Sequence, residues 1–332
     1  MISLDEFKKH FFGFNVLGCV VRSGDVFCFV AQEDYTKRPD WNDGEPPEDE
    51  ELEKRLIVFM RPRPEGKHWT AARLTGFNGI LIGFSPIAPK PQAIVAGVSG
   101  GVYASGSGDS HLEKISSVDE GGPKRGAILK LKTIGEHIYV AGNNRSVGRR
   151  EADHQWLGYS DRIPEARGKA PEGFDDIDGF DEGDIYAVGG AGDVFRFDGK
   201  DFHRCTFPSN VLLTSVCCAG DGSVYVGALH GHIFKGRGDS WQQIHRGNMT
   251  IPFRDMVWYA GRVWCTNDYG LWTIEGDKLQ EAPVGSDVKI CSGNLSARDG
   301  VLLMAGHGGA AFCKDGRWNI IFHSGAMTDA AR

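Results

Sequence analysis

Two stretches, "EGDIYAVGGAGDVFRFDGKDF" at residues 182–202 and "DGSVYVGALHGHIFKGRGDSW" at residues 221–241, share one pattern of glycines and β-forming residues. The glycine before the second strand recurs every 39 residues, at Gly183, Gly222, Gly261 and Gly300. Later strands keep the same step, at Val194, Ile233, Trp272 and Ala311, and then near Phe202, Trp241, Leu279 and Trp318. A further apolar run precedes each glycine, so each unit has four strands. Units of about 40 residues with four short strands are typical of β-propeller blades.

Three more units with longer connections precede these four. They are marked by "GCVVRSGDVFCFV" (18–30), "PQAIVAGVSGGVYASG" (91–106) and "EHIYVAG" (136–142). The sequence therefore predicts an all-β, seven-bladed β-propeller over residues 14–324, with six blades as the alternative. We find no clear fourth strand for the third unit in 162–173. The "SLDE" capping box at Ser3 predicts a short helix within residues 1–13, and residues 325–332 are expected to be a flexible tail.

The repeat also has a family resemblance. "FDDIDGFDEGDIYAVGGAGDVFRFDGKDF" (174–202) resembles the degenerate repeats of propellers related to bacterial neuraminidases (Asp-box repeats) and photosystem-assembly factors. The turns "FDGKDF", "GRGDSW" and "KDGRWN" carry the same resemblance, which extends over residues 174–323. It implies a propeller fold and leaves the activity open, because such repeats serve enzymes, lectins and scaffolds alike.

Charge and cysteine usage narrow the function classes. The chain has a net charge of −7, and the segment from Glu33 to Arg55 holds ten acidic and four basic residues, or −6. The nearly neutral remainder lacks the basic field that nucleic-acid binding needs.

No apolar run reaches the roughly 18 residues of a membrane span, so we expect a soluble, cytoplasmic protein. Of the eight cysteines, none forms a C-x-x-C pair; a tight turn at Arg22–Asp25 would place Cys19 opposite Cys28, as a reduced pair or a disulfide.

Two polar segments predict a partner-binding face. Residues 32–55 and 143–154 both read as insertions between second and third strands, which would place them on one face of the propeller. The candidate partner-binding residues are Asp43, Glu45, Glu48, Asp49, Glu50, Arg145, Arg149, Arg150, Arg254 and Trp258. The alternatives are a disordered acidic loop and, for the aromatic residues around Arg254, buried packing between blades.

A second hypothesis is catalytic. Asp176 and Asp255 occupy matching positions two units apart, and a carboxylate pair across the channel would suit acid–base chemistry. At this position of such repeats, structural aspartates that cap backbone amides are more common than catalytic ones. Three histidines lie in turns of one presumed face of the propeller: His230, His232 and His307. Two blades separate His307 from the other two, so we expect no metal site and no cofactor.

We therefore predict a non-catalytic protein-binding propeller. A specific version is an inhibitor or immunity-type protein that blocks a toxin or enzyme, its acidic loop meeting a basic cleft. The alternative is a hydrolase or lyase that acts on a glycan or lactone in the central channel. A small-molecule ligand in that channel is compatible with both predictions.

Overall fold

Seven four-stranded antiparallel sheets are arranged in a ring, and each sheet takes its strands in chain order. The computed structural model describes residues 2–38, 44–87, 90–164 and 173–332. The first strands of successive blades contact one another around a central channel, and the first strand of blade 1 contacts that of blade 7. The predicted seven-bladed propeller is confirmed.

The first three blades have the longest connections. Blade 1 consists of β1 (Phe14–Ser23), β2 (Val26–Glu33), β3 (Lys54–Met60) and β4 (Trp69–Leu74). Blade 2 consists of β5 (Leu81–Ser85), β6 (Gln92–Ala96), β7 (Gly101–Gly106) and β8 (Asp109–Lys114). Blade 3 consists of β9 (Ile128–Ile134), β10 (His137–Gly142), β11 (Ser146–Ala152) and β12 (Gln155–Gly158).

The other four blades follow the 39-residue repeat. Blade 4 consists of β13 (Asp176–Asp181), β14 (Asp184–Gly189), β15 (Asp193–Phe197) and β16 (Phe202–Arg204). Blade 5 consists of β17 (Leu213–Cys218), β18 (Val224–Ala228), β19 (Ile233–Arg237) and β20 (Ser240–His245). Blade 6 consists of β21 (Asp255–Tyr259), β22 (Arg262–Asn267), β23 (Gly270–Glu275) and β24 (Lys278–Glu281). Blade 7 consists of β25 (Asn294–Arg298), β26 (Val301–Gly306), β27 (Gly309–Lys314) and β28 (Arg317–His323).

Burial within a blade follows the position of the strand. Every residue of the second strands β14 and β26 is buried, because neighbouring blades cover both faces of the sheet. The fourth strands β20 and β24 lie at the rim and are mostly exposed. Continuous apolar runs therefore mark the second strands, whereas the rim strands are mostly polar.

An N-terminal helix joins the first and last blades. Helix α1 (Leu4–His10) begins with the predicted capping box, in which the Ser3 hydroxyl accepts a hydrogen bond from the Glu6 amide. The buried Phe11 ring just after α1 lies 4.5 Å from the Phe322 ring of blade 7 and 5.4 Å from the Trp69 ring of blade 1. Blades 1 and 7 come from opposite ends of the chain and meet where the ring closes. This aromatic contact helps to hold them together.

Three local predictions are wrong. Residues 143–154 are not a loop insertion: they contain strand β11, and the missing fourth strand of blade 3 follows at once as β12. Residues 325–332 are not a flexible tail, because helix α3 (Ser324–Ala331) contacts α1.

The third is the placement of Cys19 directly opposite Cys28; both are free thiols, as the reduced alternative has it. A register shift pairs Cys19 with Phe29 and Cys28 with Val20, so the two thiols point to opposite faces of the sheet.

The structure also contains a short helical turn, α2 (Ser286–Lys289), between blades 6 and 7. Within the described ranges, no helix has both the length and the apolarity needed to cross a bilayer.

Candidate functional site

The connections between second and third strands and those between blades lie on one side of the ring, here called the loop face. A direct contact shows this for blade 1. Asp49, in the β2–β3 connection, accepts a hydrogen bond at Oδ2 from the amide of Gly79, in the connection to blade 2. The part of the acidic segment around Asp49 therefore lies on the loop face.

The acidic segment contains both paired and unpaired carboxylates. Each of its four basic residues is matched with an acidic residue of the same segment: Lys37 with Asp34, Arg38 with Glu33, Lys54 with Asp49 and Arg55 with Glu53. Glu53 also binds Arg73 of β4. The excess negative charge is thus carried by other members of the segment.

Four exposed glutamates carry that excess among the described residues: Glu45, Glu48, Glu50 and Glu51. Three of them were predicted as partner-binding residues, and Glu51 was not. The predicted Asp49 is only partly exposed, because Gly79 and Lys54 bind its carboxylate. Asp43 lies outside the described residues.

The acidic segment is anchored to the propeller between residues 44 and 55. Residues Asp49–Glu51 form a 3-10 turn, and the buried Leu52 follows it. The Lys54 ammonium is fully buried against Asp49. For this part of the segment, the alternative of a disordered loop does not describe the structure, and the glutamates are held on an ordered support.

The three arginines predicted to bind a partner pair within the ring instead: Arg149 and Arg150 lie on β11, and Arg145 lies in the turn just before it. Arg150 is fully buried and pairs with Glu113 of blade 2. Arg145 is buried and pairs with Asp193 of blade 4, 2.8 Å from Nε to Oδ2. Arg149 is largely covered and contacts Glu151 and Glu182. These side chains join neighbouring blades, because two of them belong to strand β11 and the third lies in a turn where Asp193 of blade 4 pairs with it.

Arg254 and Trp258 lie on the wall of the central channel. Arg254 is half-exposed and its Nη2 donates to Asp268 Oδ2 at 3.0 Å. The adjacent Phe253 is fully buried and Trp258 is partly buried. For these two aromatic residues the packing alternative describes the structure better, whereas Arg254 remains accessible.

Two exposed apolar side chains on the loop face were missed in the sequence. Tyr269, at the β22–β23 turn, is 79% exposed, and Ile290, after α2, is 57% exposed. Asn267 fixes the turn by accepting the Tyr269 amide at 2.9 Å and donating to the Ile251 carbonyl at 3.1 Å. Blades 6, 7 and 1 are consecutive in the ring, so Tyr269, Ile290 and the four glutamates follow one arc of the loop face. The sequence signal was an aromatic residue in the hairpin turn "NDYG" (267–270).

The first strands enclose a channel cavity of about 720 Å³. In it the Lys130 ammonium lies between the two aspartates of the catalytic alternative, 3.3 Å from Asp176 Oδ1 and in contact with Asp255 Oδ1. Asp176 Oδ2 also accepts the amide of Val216 at 2.9 Å, and Asp255 Oδ2 that of Leu295 at 2.9 Å. Each aspartate thus binds the first strand of the next blade. These are the contacts of structural residues that connect blades.

Electrostatics in the channel agree with this role. Burial opposes the charge of Lys130, but the facing Asp176 and Asp255 outweigh it and raise the pKa of the ammonium. Burial raises the pKa of Asp176, against the opposing effect of Lys130 and Lys132. A lysine held cationic between two carboxylates neutralises much of their charge, which suits aspartates that connect blades.

The three histidines considered as metal ligands do not assemble. The His230 and His232 rings lie 6.3 Å apart, whereas His307 is in the β26–β27 turn of blade 7. His232 Nδ1 instead accepts a hydrogen bond from the Gly247 amide at 3.2 Å.

The fold and the loop face together fit a β-propeller of the protein-binding type. Over 215 residues the chain is 34% identical to "Immune protein Tsi7" of Pseudomonas aeruginosa. The matched region makes up 64% of this chain and 70% of that protein. The chain belongs to the family of immune protein Tsi7. No model of a protein family matches the sequence.

Solved structures support the fold alone. A Mycobacterium tuberculosis puromycin-hydrolysing peptidase superposes with a TM-score of 0.62 and 13% identity over 94% of this chain. The match spans 53% of the peptidase, so the chain corresponds to about half of its length. YCF48 bound to a D1 peptide superposes with a TM-score of 0.53 and 14% identity, over 78% of this chain and 86% of that one.

Proposed function

We propose that this protein neutralises a protein toxin by binding it directly with the loop face. Family membership and the propeller fold support a protein partner. The observation that supports the choice of face is the excess of four exposed glutamates on an anchored segment of an otherwise nearly neutral chain. Such a surface favours a partner that presents a basic patch.

The acidic segment has two effects in this proposal. Its field attracts a basic partner over distances up to about the Debye length, roughly 8 Å at physiological ionic strength. Because the supporting turn is already ordered, little conformational entropy is lost on binding. The segment would therefore increase the association rate and orient the partner on the ring.

The arc from blade 6 to blade 1 supplies the apolar contacts. Tyr269 and Ile290 are exposed on fixed backbone, and tyrosine and arginine are the residue types that most often dominate binding energy. Arg254 lies next to this turn through its ion pair with Asp268. We assign Tyr269, Ile290 and Arg254 to the slowly dissociating centre of the interface, and the glutamates to its charged edge.

The test compares two variants of equal charge. The loop variant changes Glu45, Glu48, Glu50 and Glu51 to glutamine. The control variant changes four exposed acidic residues in turns of the opposite face, Glu65→Gln, Glu136→Gln, Asp299→Asn and Asp315→Asn. Both variants lose four negative charges, so a difference between them reports the position of the charge and not its amount.

The wild-type chain is used to capture its partner from lysate of the source organism, and the recovered protein is expressed with and without the chain to measure toxicity. Association rates are then measured at low and high salt. We expect the loop variant to associate about tenfold more slowly at low salt, with a weaker salt dependence, and the control variant to behave as wild type. Equal rates for both variants would refute the assignment of the face, and a partner whose toxicity the chain leaves unchanged would refute neutralisation.

A further inference from the structure

Blades 2 and 3 bring together a histidine and two aspartates on the side of the ring opposite the loop face. Asp109 and His111 lie on β8, and Asp153 lies in the turn between β11 and β12. One nitrogen or oxygen atom of each side chain lies within 4.8 Å of those of the other two. We propose that these three residues bind a first-row divalent cation, for which Zn²⁺ is the best fit, and that the cation joins blade 2 to blade 3.

The imidazole of His111 is placed for this role. Its Nε2 lies 3.3 Å from Asp153 Oδ1 and 3.5 Å from Glu113 Oε2, and its Nδ1 lies 3.5 Å from Asp109 Oδ2. One ring nitrogen binds a given cation, and Nε2 is the nitrogen that is shielded from solvent and that no hydrogen bond of ordinary geometry joins to the facing carboxylates. A shielded imidazole nitrogen that faces carboxylate oxygens in this way is the arrangement that a bound cation would complete.

A second imidazole lies beside the first. The His154 ring centroid is 5.1 Å from that of His111. The His154 backbone has a φ of 63°, an uncommon value for a residue other than glycine. Its amide donates to Glu113 Oε2 at 2.8 Å, which holds the turn in this conformation. His154 is exposed, so its side chain is available as a fourth ligand.

The surrounding charges orient the ligands and leave one negative charge in excess. Arg150 binds Glu113 and also donates from Nη2 to Asp153 Oδ1 at 2.6 Å. Lys90 binds Asp109 at 2.8 Å. Three carboxylates, those of Asp109, Glu113 and Asp153, thus face two permanently charged side chains, which favours a further positive charge. Glu113 holds Arg150 and the His154 amide in place through its two oxygens.

The donor set selects the class of metal. Imidazole nitrogen together with carboxylate oxygen suits Zn²⁺ and its neighbours in the first row, whereas Ca²⁺ and Mg²⁺ prefer oxygen ligands alone. Because the ligands come from two blades, binding should stabilise the folded chain. The site is separate from the loop face, so its test does not depend on the toxin.

The experiment titrates the chelator-treated full chain with ZnCl₂ by isothermal calorimetry and follows thermal unfolding in parallel. We expect one equivalent of Zn²⁺ to bind with a rise in the unfolding temperature. His111→Gln should weaken binding by at least the roughly 10- to 100-fold that loss of an outer-shell partner costs. Asp109→Asn, at an exposed position that the fold does not need, should also weaken it. The control is His203→Gln, an exposed histidine paired with Asp198 at 2.8 Å.

Each outcome decides the proposal. Saturable one-to-one binding that is weakened in His111→Gln and Asp109→Asn but retained in His203→Gln would support it. The absence of saturable heat would overturn it. Binding of equal strength in wild type and both site variants would overturn it as well, because the metal would then lie elsewhere on a chain with 11 histidines.

Discussion

Replacing Lys130 with methionine tests whether the channel carboxylates connect the blades. In the wild type the ammonium contacts Asp255 and lies 3.3 Å from Asp176, and the Asp176 side chain is only 1% exposed. Methionine keeps the length and most of the apolar stem of lysine but removes the charge. The variant would therefore leave the buried Asp176 and Asp255 carboxylates without the cation that contacts both, and only the more distant Lys132 would still act on Asp176.

The size of the effect follows from this geometry. Removing one partner of a buried ion pair costs about 3–5 kcal/mol, because the remaining charge is left uncompensated. The entropy of unfolding is about 2.1 cal/mol/K per residue, or roughly 0.7 kcal/mol/K for this chain. The thermal midpoint of Lys130→Met should thus fall by about 4–7 °C at pH 7.

The loss should depend on pH with a defined sign. Burial already raises the folded-state pKa of Asp176, and the loss of Lys130 removes a cation that opposes this rise, so the pKa moves further above the unfolded value of about 3.9. Groups with a raised folded-state pKa contribute stability at low pH that is lost as the pH rises through that pKa. The difference in free energy of unfolding between wild type and Lys130→Met should therefore shrink as the pH falls from 7 towards 4.

Thermal unfolding at pH 7 measures the fall in the midpoint, and urea unfolding at pH 7 and at pH 4.5 measures how the loss of stability depends on pH. Lys132→Met is the matched control, because Lys132 lies on the same strand and faces one carboxylate, Asp178, at the longer distance of 3.7 Å. We expect a smaller loss there, and partial recovery of stability when Asp255→Asn is added to Lys130→Met. A loss no larger than that of Lys132→Met, or one that grows as the pH falls, would refute the reasoning.

Three further predictions concern the closure of the ring, the thiols and the loop face. Phe11→Ala should lower the free energy of unfolding in urea by about 3–5 kcal/mol. The control Phe12→Ala, at a 40% exposed position, should lower it far less. Similar losses in the two variants would contradict the role of Phe11 in ring closure. Burial raises the pKa of Cys28 to about 12, so this thiol should be unreactive towards a thiol reagent at pH 8 until urea unfolds the chain, and mass spectrometry of the native protein would reveal any early labelling. Tyr269→Ser should change the free energy of unfolding by less than about 0.5 kcal/mol but accelerate dissociation of the captured partner, and an unchanged dissociation rate would remove Tyr269 from the interface.

The sequence by itself determined the architecture. Glycines at a fixed interval and apolar runs between them are local signals, and each blade is built from consecutive residues, so strand number and blade number could be counted directly. The acidic segment was assigned to the correct face for the same reason, since its place between second and third strands fixes the side of the ring. The capping box at Ser3 was equally local, because it depends only on residues three apart.

Tertiary structure decided which polar side chains face a partner and which face one another. Arg150 read as a loop residue, but its partner Glu113 comes from another blade; Lys130 meets Asp255 from a strand 125 residues away. Such pairs depend on ring closure and strand register, and a shift of one residue turns a side chain to the other face, as with Cys19 and Cys28. The meeting of His111 with Asp153 arises in the same way, because it depends on how blades 2 and 3 pack and not on any local pattern.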